Sequence, residues 1–168
     1  MGYVSQLSKR YESDWAKSKA RTLLREMIKK HSLDYKKAQN LKVLCFPGID
    51  AAEIFEVYDP LGIRRENIVG VEMVPKIADR LEELNLGIKV VPSTLEDYVN
   101  SQPDIDFDVI SLDYTGPITS DQLEVLTDIR NKTKKSRFIL HHANLMKRDR
   151  LSYPLYSTGY GYTDDNKY

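Results

Sequence analysis

Five short runs of branched aliphatic residues, separated by segments with helical periodicity, occupy the middle of this 168-residue chain. The runs cover residues 41–46, 67–72, 88–92, 107–113 and 137–141. Short apolar strands of this kind are typical of parallel sheets that helices cover on both faces. Because the connections between such strands are right-handed crossovers, the pattern predicts a doubly wound, mainly parallel α/β sheet with strand order 3-2-1-4-5.

Helices are predicted in the gaps between these strands. The clearest covers 74–86, where Pro75 suits the first turn and Gly87 stands just past the end. Another is predicted to follow Ser120, with apolar residues recurring at helical spacing after it. This regular alternation of strand and helix indicates one domain with a single sheet.

A basic helix is predicted to begin near Ser13, ahead of the first strand. Its apolar positions recur on one face: Ala16, Ala20, Leu23, Leu24, Met27 and Ile28. Four basic residues follow one another at four-residue steps: Lys17, Arg21, Arg25 and Lys29. We call these four the basic stripe. It is interpreted either as a solvated face or as a surface that binds nucleic-acid phosphates.

Charge is balanced over the whole chain but unevenly distributed along it. The totals are 25 basic and 25 acidic residues. Residues 1–42 carry 11 Lys or Arg against 4 Asp or Glu, residues 43–127 carry 5 against 17, and residues 128–150 carry 8 against 2. Two basic segments therefore flank an acidic body, and such flanks are suited to a phosphate backbone.

Composition predicts a soluble, cytoplasmic protein. No apolar run approaches the roughly 20 residues needed to span a bilayer, and the N-terminus lacks the apolar centre of a secretion signal. The single cysteine, Cys45, falls inside a strand run, which favours a packing role over a nucleophilic one.

Two loops are selected by the predicted topology as the place for a ligand. Strands one and four lie side by side where the strand order reverses, and ligands bind at the carboxyl ends of strands at that point. The loops are 47–51 after the first strand and 114–119 after the fourth. Glu72, which ends the second strand, stands 24 positions after Gly48, near the spacing of a ribose-binding acid. The alternative for Glu72 is an acid favoured in the first turn of a helix.

The loop after the fourth strand has the more specific composition. Asp113, Tyr114, Gly116 and Pro117 fall within five positions at the strand's carboxyl end. A carboxylate there can accept a hydrogen bond from an amino group, and an aromatic ring can stack on a flat base. The structural alternative is an Asp that caps the next turn and a Tyr that packs.

These residues resemble the S-adenosylmethionine-dependent methyltransferases of the Rossmann-like class, over about residues 40–146. The resemblance implies that the loop with Phe46, Pro47, Gly48 and Asp50 lies against the methionine part of the cofactor. It implies that Glu72 holds the ribose hydroxyls and that Met73 touches the adenine. Residues 93–98 are similar to the family's third motif, which implies adenine contacts by Ser93, Thr94 and Leu95.

Residues 112–117, Leu-Asp-Tyr-Thr-Gly-Pro, are similar to the Asp-Pro-Pro-aromatic signature of amino-group methyltransferases. They are also similar to the Leu-Asp-Pro-Phe-Gly segment of tRNA guanine dimethyltransferases. This similarity implies that Asp113 and Tyr114 are catalytic, that Asp113 also touches the cofactor, and that the acceptor lies near Thr115, Gly116 and Pro117.

The chain departs from the family pattern in three places. Cys45 stands where an acid is usual, Gly48 alone represents a run of two or three glycines, and the paired prolines are absent. The usual sixth and seventh strands find little room after residue 142, so the fold is expected to be minimal or the chain a fragment.

Two adjacent histidines end the fifth strand, at the edge where a ligand is expected. Neighbouring strand residues face opposite sides of a sheet, so His141 and His142 are not expected to bind one metal ion together, and no metal site is predicted. They are interpreted as substrate contacts or as strand-end residues facing solvent.

The chain is predicted to comprise a basic helical segment 1–40, a Rossmann-like domain 41–150 and a tail 151–168. The tail contains five tyrosines: Tyr153, Tyr156, Tyr160, Tyr162 and Tyr168. It is interpreted as a mobile end or as a strand exchanged in a homo-oligomer, and alternatively as an arm that stacks on single-stranded nucleic acid.

The leading functional hypothesis is a methyltransferase that uses S-adenosyl-L-methionine and acts on a base nitrogen of RNA or DNA. One alternative is a nucleoside-binding or regulatory protein of the same fold that has lost catalysis, as the single glycine suggests. Another is a methyltransferase with a small-molecule acceptor. A nucleotide-dependent oxidoreductase is the weakest, because a dinucleotide requires phosphate-binding glycines that this loop lacks.

Overall fold

Within the part of the chain that the structure describes, the sheet has five parallel strands in the predicted order. The computed structural model describes residues 15–32, 36–115 and 117–145. The strands are β1 (Val43–Cys45), β2 (Ile68–Glu72), β3 (Lys89–Pro92), β4 (Val109–Thr115) and β5 (Ile139–Leu145). They are hydrogen-bonded in the order β3-β2-β1-β4-β5. The fold class and the strand order expected from the sequence are therefore confirmed.

Five helical segments accompany the strands within the described residues. They are α1 (Trp15–His31), α2 (a π-helical stretch, Ile54–Tyr58, that continues as Asp59–Leu61), α3 (Pro75–Glu83), α4 (Leu95–Ser101) and α5 (Ser120–Lys132). Single 3₁₀ turns occur at Ala38–Asn40 and Arg65–Asn67. None of the described helices combines the length and the apolar content needed to cross a membrane. The predicted tail 151–168 and the predicted helix start at Ser13 lie outside the described residues.

Local sequence explains where the helices after the sheet strands begin. α3 starts at Pro75, whose fixed φ suits the first helical turn. The side chain of Thr94 accepts a hydrogen bond from the backbone N–H of Asp97 and so caps α4. α5 begins with a reciprocal capping box between Thr119 and Gln122.

Two apolar layers enclose the sheet, one on each face. Side chains alternate along a strand, so Val43 and Cys45 of β1 point to one layer and Leu44 points to the other. The first layer joins the sheet to α1, α2 and α3, and its buried members include Leu24, Ile28, Ile54, Tyr58, Leu81 and Val109. The second layer joins the sheet to α4 and α5, and its buried members include Leu95, Val99, Ile110, Leu112, Val125 and Ile129.

Helix α1 is turned differently from the prediction. Leu24 and Ile28 are fully buried, but Leu23 and Met27 are 60% and 40% exposed. The predicted apolar face is therefore only half buried. The reason lies in the partners of the basic stripe, described below, which hold α1 with its basic residues toward the body of the protein.

An ionic cluster ties the amino-terminal ends of the central strands together. Asp108, only 2% exposed, precedes β4. Its carboxylate accepts hydrogen bonds from Lys36 Nζ and Lys135 Nζ, each at 2.7 Å, and from the backbone N–H of Lys42 at 2.8 Å. Burial alone would raise the pKa of Asp108, but these donors outweigh burial and hold it below its usual value. The cluster links residues before β1, before β4 and before β5.

We expect Asp108→Asn to lower the free energy of unfolding by about 2 kcal/mol at pH 7, because two ammonium groups and one N–H lose an ionised acceptor. Urea denaturation measures this change. Because the folded pKa is depressed, the contribution is present above about pH 4 and is lost as the pH falls further. The difference in the free energy of unfolding between Asp108→Asn and the wild type should therefore become smaller below about pH 4.

Asp104→Asn is the matched control for this prediction. Asp104 pairs with Lys134 at 2.8 Å, but both side chains are well exposed. Its removal should change stability by less than about 0.5 kcal/mol. Equal effects of the two substitutions would contradict a special role for Asp108.

Candidate functional site

A cavity of about 540 Å³ opens at the carboxyl edge of the sheet, above β1 and its neighbours β2 and β4. Its volume falls within the range of small-molecule sites. Every residue that the sequence assigned to cofactor contact lines it: Phe46, Pro47, Gly48, Asp50, Glu72, Met73, Ser93, Thr94, Leu95 and Asp113. The loops after four different strands therefore meet at the point where the strand order reverses.

The loop after β1 is held in place by two glycines of different function. Gly48 has φ of +62°, a left-handed conformation that glycine adopts without strain. Gly70 of β2 serves for space: a Cβ there would lie 2.8 Å from Cγ of Pro47. Gly70 thus lets Pro47 lie across β2. Ala51 also takes a positive φ, +49°, which is uncommon outside glycine.

Glu72 ends β2 on the wall of the cavity. Its Oε1 accepts a hydrogen bond from the backbone N–H of Val74 at 2.9 Å. Burial raises the pKa of this carboxyl, while hydrogen bonds from the N–H groups of Val74 and Met73 oppose the rise. The side chain therefore orders the turn into α3 and also lines the cavity. Glu72 precedes the first turn of α3, so the alternative of a helix-start acid is wrong, and its contact with a ribose stays a prediction.

The loop after β3 contributes an edge of the cavity. The hydroxyl of Thr94 is engaged in capping α4, where it also donates to Asp97 Oδ2 at 2.8 Å. The hydroxyl of Ser93 donates to the carbonyl of Thr94 at 2.9 Å. Leu95 is buried. The loop thus offers a preformed surface whose hydroxyls are already positioned.

The end of β4 carries the acid and the aromatic ring that the sequence singled out. Asp113 Oδ2 lies 3.0 Å from Nζ of Lys17, which comes from α1. The ring of Tyr114 meets Phe46 edge to face, with centroids 5.0 Å apart and planes at 83°. An ion pair and an aromatic pair therefore lie side by side on the cavity wall.

The residues predicted to face the acceptor are placed differently. Pro117 is exposed and does not line the cavity, whereas Gly116 and the side chain of Thr115 lie outside what the structure describes. His141 Nδ1 lies 3.0 Å from Ser111 Oγ, and the ring of His142 lies 5.3 Å from that of Tyr114. The prediction that the two histidines end the fifth strand is wrong, because β5 continues to Leu145 in register with β4. They flank the cavity residues of β4 and do not line the cavity.

Three of the four residues of the basic stripe contact the rest of the protein, which the sequence did not predict; the fourth, Lys29, is exposed and pairs with Glu26 of the same helix. Lys17 pairs with Asp113, Arg21 pairs with Glu56 at 3.1 Å, and Arg25 donates to the carbonyl of Glu56 at 3.3 Å. Lys17 and Arg21 also line the cavity. The four-residue spacing identified these residues as one face of a helix. Which way that face points depends on acidic residues that are far away in the sequence.

Glu53, at the start of α2, is a cavity residue that sequence reasoning missed. It is 8% exposed. Its Oε1 accepts a short hydrogen bond from the hydroxyl of Tyr58, and its Oε2 accepts one from Ser111 Oγ at 3.0 Å. Burial raises the pKa of Glu53 to about 7, although the hydrogen bonds from Tyr58 and Ser111 counteract part of the effect. No periodic or motif signal marks this residue, because one of its two partners, Ser111, comes from a strand 58 residues further along the chain.

The cavity wall is predominantly acidic. Its basic members are Lys17 and Arg21, and its acidic members are Asp50, Glu53, Glu72, Glu96, Asp113 and Asp121. Such a wall favours a ligand that carries positive charge and disfavours an unshielded pyrophosphate. Within residues 15–32, 36–115 and 117–145, no group of three or more His, Cys, Asp or Glu side chains is arranged to hold a metal ion.

Comparison with known proteins gives similarity at the level of fold. No family model and no curated protein sequence matches the chain. Among solved structures, the chain is similar to an S-adenosylmethionine-dependent methyltransferase from Archaeoglobus fulgidus, with a TM-score of 0.50 and 19% sequence identity. The alignment covers 82% of this chain and 57% of that one. At this identity the similarity establishes a shared α/β fold, and this chain spans little more than half of its neighbour's length.

The pKa of Glu53 gives the site a measurable signature. The folded protein keeps this proton up to about pH 7, whereas an unfolded glutamate releases it near 4.5. The free energy of unfolding should therefore fall as the pH rises through this window, by an amount on the order of 3 kcal/mol. Urea denaturation between pH 5 and 8 measures it, and Glu53→Gln should flatten the slope. Glu96→Gln, on the exposed rim, should leave the slope unchanged, and an unchanged slope in Glu53→Gln would refute the assignment.

Proposed function

We propose that this chain binds S-adenosylmethionine in the cavity and transfers its methyl group to an amino nitrogen of a nucleic-acid base. The observation that carries this proposal is the convergence of the loops after β1, β2, β3 and β4 on one cavity. Each loop contributes the residues that resemble the corresponding methyltransferase motif. The fold shared with a methyltransferase of known structure supports it.

The cavity suits the charge and shape of this cofactor. Glu72 would accept hydrogen bonds from the ribose hydroxyls, and Met73 and Leu95 would hold the adenine between them. The loop from Phe46 to Asp50 would lie along the methionine part. The acidic wall favours the cationic sulfonium, and the face of Phe46 is a further favourable surface for it. A dinucleotide is disfavoured, because a pyrophosphate would meet carboxylates instead of a glycine-rich helix start.

The chain's own residues would contribute mainly alignment. The cofactor, when bound, supplies a methyl carbon already activated for displacement, so strong acid or base chemistry is unnecessary at that carbon. Asp113 would accept a hydrogen bond from the acceptor's amino group and direct the nitrogen lone pair. Tyr114 would stack on the acceptor ring. Orientation of this kind is worth as much as ~7 to 11 kcal/mol in favourable cases.

Lys17 would help to orient Asp113 toward an acceptor. Its ammonium group lies 3.0 Å from Asp113 Oδ2, and its side chain is only 12% exposed. This ion pair would restrict rotation of the Asp113 carboxylate. An incoming amino group would therefore meet a preoriented acceptor instead of a freely rotating one.

A small-molecule acceptor is the second candidate, and the charge distribution favours it. In the described residues, Lys17, Arg21, Lys134 and Lys135 all contact acids of this chain. Together with the acidic cavity wall, these contacts leave less positive potential for a polyanion than the sequence suggests. A binding protein without catalysis is the remaining alternative, supported by the single glycine of the first loop.

Cofactor binding tests the first part of the proposal. We expect S-adenosylmethionine and S-adenosylhomocysteine to bind in calorimetric titrations, and NAD not to bind. Glu72→Ala should weaken both by about 10- to 100-fold, because a charged hydrogen-bond acceptor is lost. Glu83→Ala is the matched control, since Glu83 is exposed on α3 and pairs with Arg80. Absence of binding at millimolar ligand would refute the proposal.

Transfer of a labelled methyl group tests the acceptor. We expect incorporation into RNA or DNA oligonucleotides that falls steeply as salt rises, since phosphate contacts release counterions. Asp113→Asn should retain part of the rate and Asp113→Ala should lower it by about 100-fold. Asp104→Asn, at the opposite edge, is the control. Incorporation only into free bases or small amines, without salt dependence, would favour the second candidate; binding without transfer would favour the third.

A further inference from the structure

Four side chains form a continuous hydrogen-bonded row from the cavity wall to the edge of the sheet. Tyr58 donates to Glu53, Glu53 and Ser111 are 3.0 Å apart, and Ser111 Oγ lies 3.0 Å from His141 Nδ1. Ser111 and His141 are direct partners in the register of β4 and β5. Because β5 is the last strand of the described sheet, the row leads from the cavity to the outer strand.

The side chains of Glu53 and Ser111 are buried, in an environment that usually holds apolar residues. Cys45, which is fully buried in the apolar layer on this face, lies close enough to Glu53 to interact with it electrostatically. Placing a carboxyl group there is costly unless it is hydrogen-bonded, and both of its oxygens are. A glutamine would fill the same space and bond the same hydroxyls without risking a buried charge. A carboxyl group differs from that amide in being able to gain and lose a proton.

We propose that Glu53, Ser111 and His141 carry away the proton that the acceptor nitrogen loses on methylation. This inference rests on the proposed methyl transfer. Glu53 would act as a catalytic residue, since it lines the cavity and would take the proton directly. Ser111 and His141 would be positioning and relay residues behind it.

The proposed path begins with methyl transfer and ends with release of a proton to water. The bond from sulfur to the methyl carbon breaks, sulfur keeps the electron pair, and the nitrogen forms the new bond to carbon. The nitrogen then gives a proton to the carboxylate of Glu53. Once protonated, Glu53 becomes the donor to Ser111 Oγ, and the Ser111 hydroxyl, which had donated to Glu53, turns toward an unprotonated Nδ1 of His141. Glu53 then passes its proton to Ser111 Oγ while the hydroxyl proton of Ser111 moves to His141 Nδ1. His141, now an imidazolium, returns a proton to water and regains its neutral form.

The charges around Glu53 suit this exchange. The groups that act on it from the surrounding elements are Arg21 of α1, Tyr58 of α2, Cys45 of β1, and Ser111 and Asp113 of β4. His141 of β5 is connected to Glu53 through the hydroxyl of Ser111. With its pKa raised to about 7, Glu53 is a base that is matched to neutral pH. Burial lowers the pKa of His141. The charge of Asp113 opposes this shift and His142 adds to it, and the net lowering means that the imidazolium readily releases a proton.

A titration without cofactor or acceptor tests the row by itself. Carboxyl ¹³C and imidazole ¹⁵N resonances are followed from pH 5 to 9 in the wild type, Glu53→Gln and Ser111→Ala. We expect a carboxyl midpoint near 7 in the wild type, and a change of the His141 nitrogens at the same midpoint. This shared step should disappear in both variants, while amide spectra show that the fold is kept. Identical His141 titrations in all three proteins would overturn the proposal.

Transfer kinetics test whether the row serves the reaction. We expect Glu53→Gln to lower kcat by about 100-fold with the affinity for S-adenosylmethionine changed only a few-fold. The rate in the wild type should rise with pH around 7. Tyr58→Phe should move this midpoint to higher pH, since the Tyr58 hydrogen bond lowers the pKa of Glu53. Tyr98→Phe, a mostly buried tyrosine on α4, is the control and should not move it.

The outcomes separate this inference from the function on which it rests. A wild-type chain that binds the cofactor but transfers no methyl group would refute both the proposed function and the role of the row. Transfer that is undiminished in Glu53→Gln would overturn the row's role alone. Transfer that is reduced in Glu53→Gln with an unshifted pH profile in Tyr58→Phe would indicate a structural function of Glu53 and would also overturn it.

Discussion

Pairing of β1 with strands on both sides is the constraint on which the rest of the structure depends. This strand has three residues, all buried, and its register fixes β2 on one side and β4 on the other. The crossovers to β2 and to β4 lie on opposite faces, so the helices separate above Cys45 and leave a crevice there. The cavity, the loop with Gly48 and the ends of β2 and β4 are consequences of that separation.

Helix α1 closes this crevice through charge as much as through apolar contact. Leu24 and Ile28 anchor it on the sheet, and Lys17 and Arg21 extend over the cavity toward Asp113 and Glu56. Partly buried ion pairs contribute little net stability once desolvation is included, but they oppose any other rotation of the helix. The same contacts compensate part of the acidic cavity wall, which would otherwise repel its own members.

Two buried carboxyl groups at opposite edges of the sheet differ in pKa because their hydrogen-bond partners differ. Asp108, at the amino edge, is surrounded by ammonium groups and an N–H, so its charged form is favoured and the cluster stabilises the fold. Glu53, at the carboxyl edge, is bonded directly to hydroxyl groups, so burial dominates and its pKa rises to about 7. Both carboxyls are buried, but only the one in the cavity is left able to exchange a proton near neutral pH.

The sequence by itself determined the parallel sheet, its strand order and the position of the cavity, because these follow from short-range periodicity and from the handedness of crossovers. It also identified Glu72, the Phe46–Asp50 loop and Asp113, which stand at strand ends where any such fold presents side chains. Only the tertiary structure decided which way α1 faces and that Glu53, Ser111 and His141 form one row. Those outcomes depend on pairings between residues far apart in the chain, such as Lys17 with Asp113 and Glu53 with Ser111. No local pattern encodes them, since each residue alone is compatible with a solvated surface or an ordinary core.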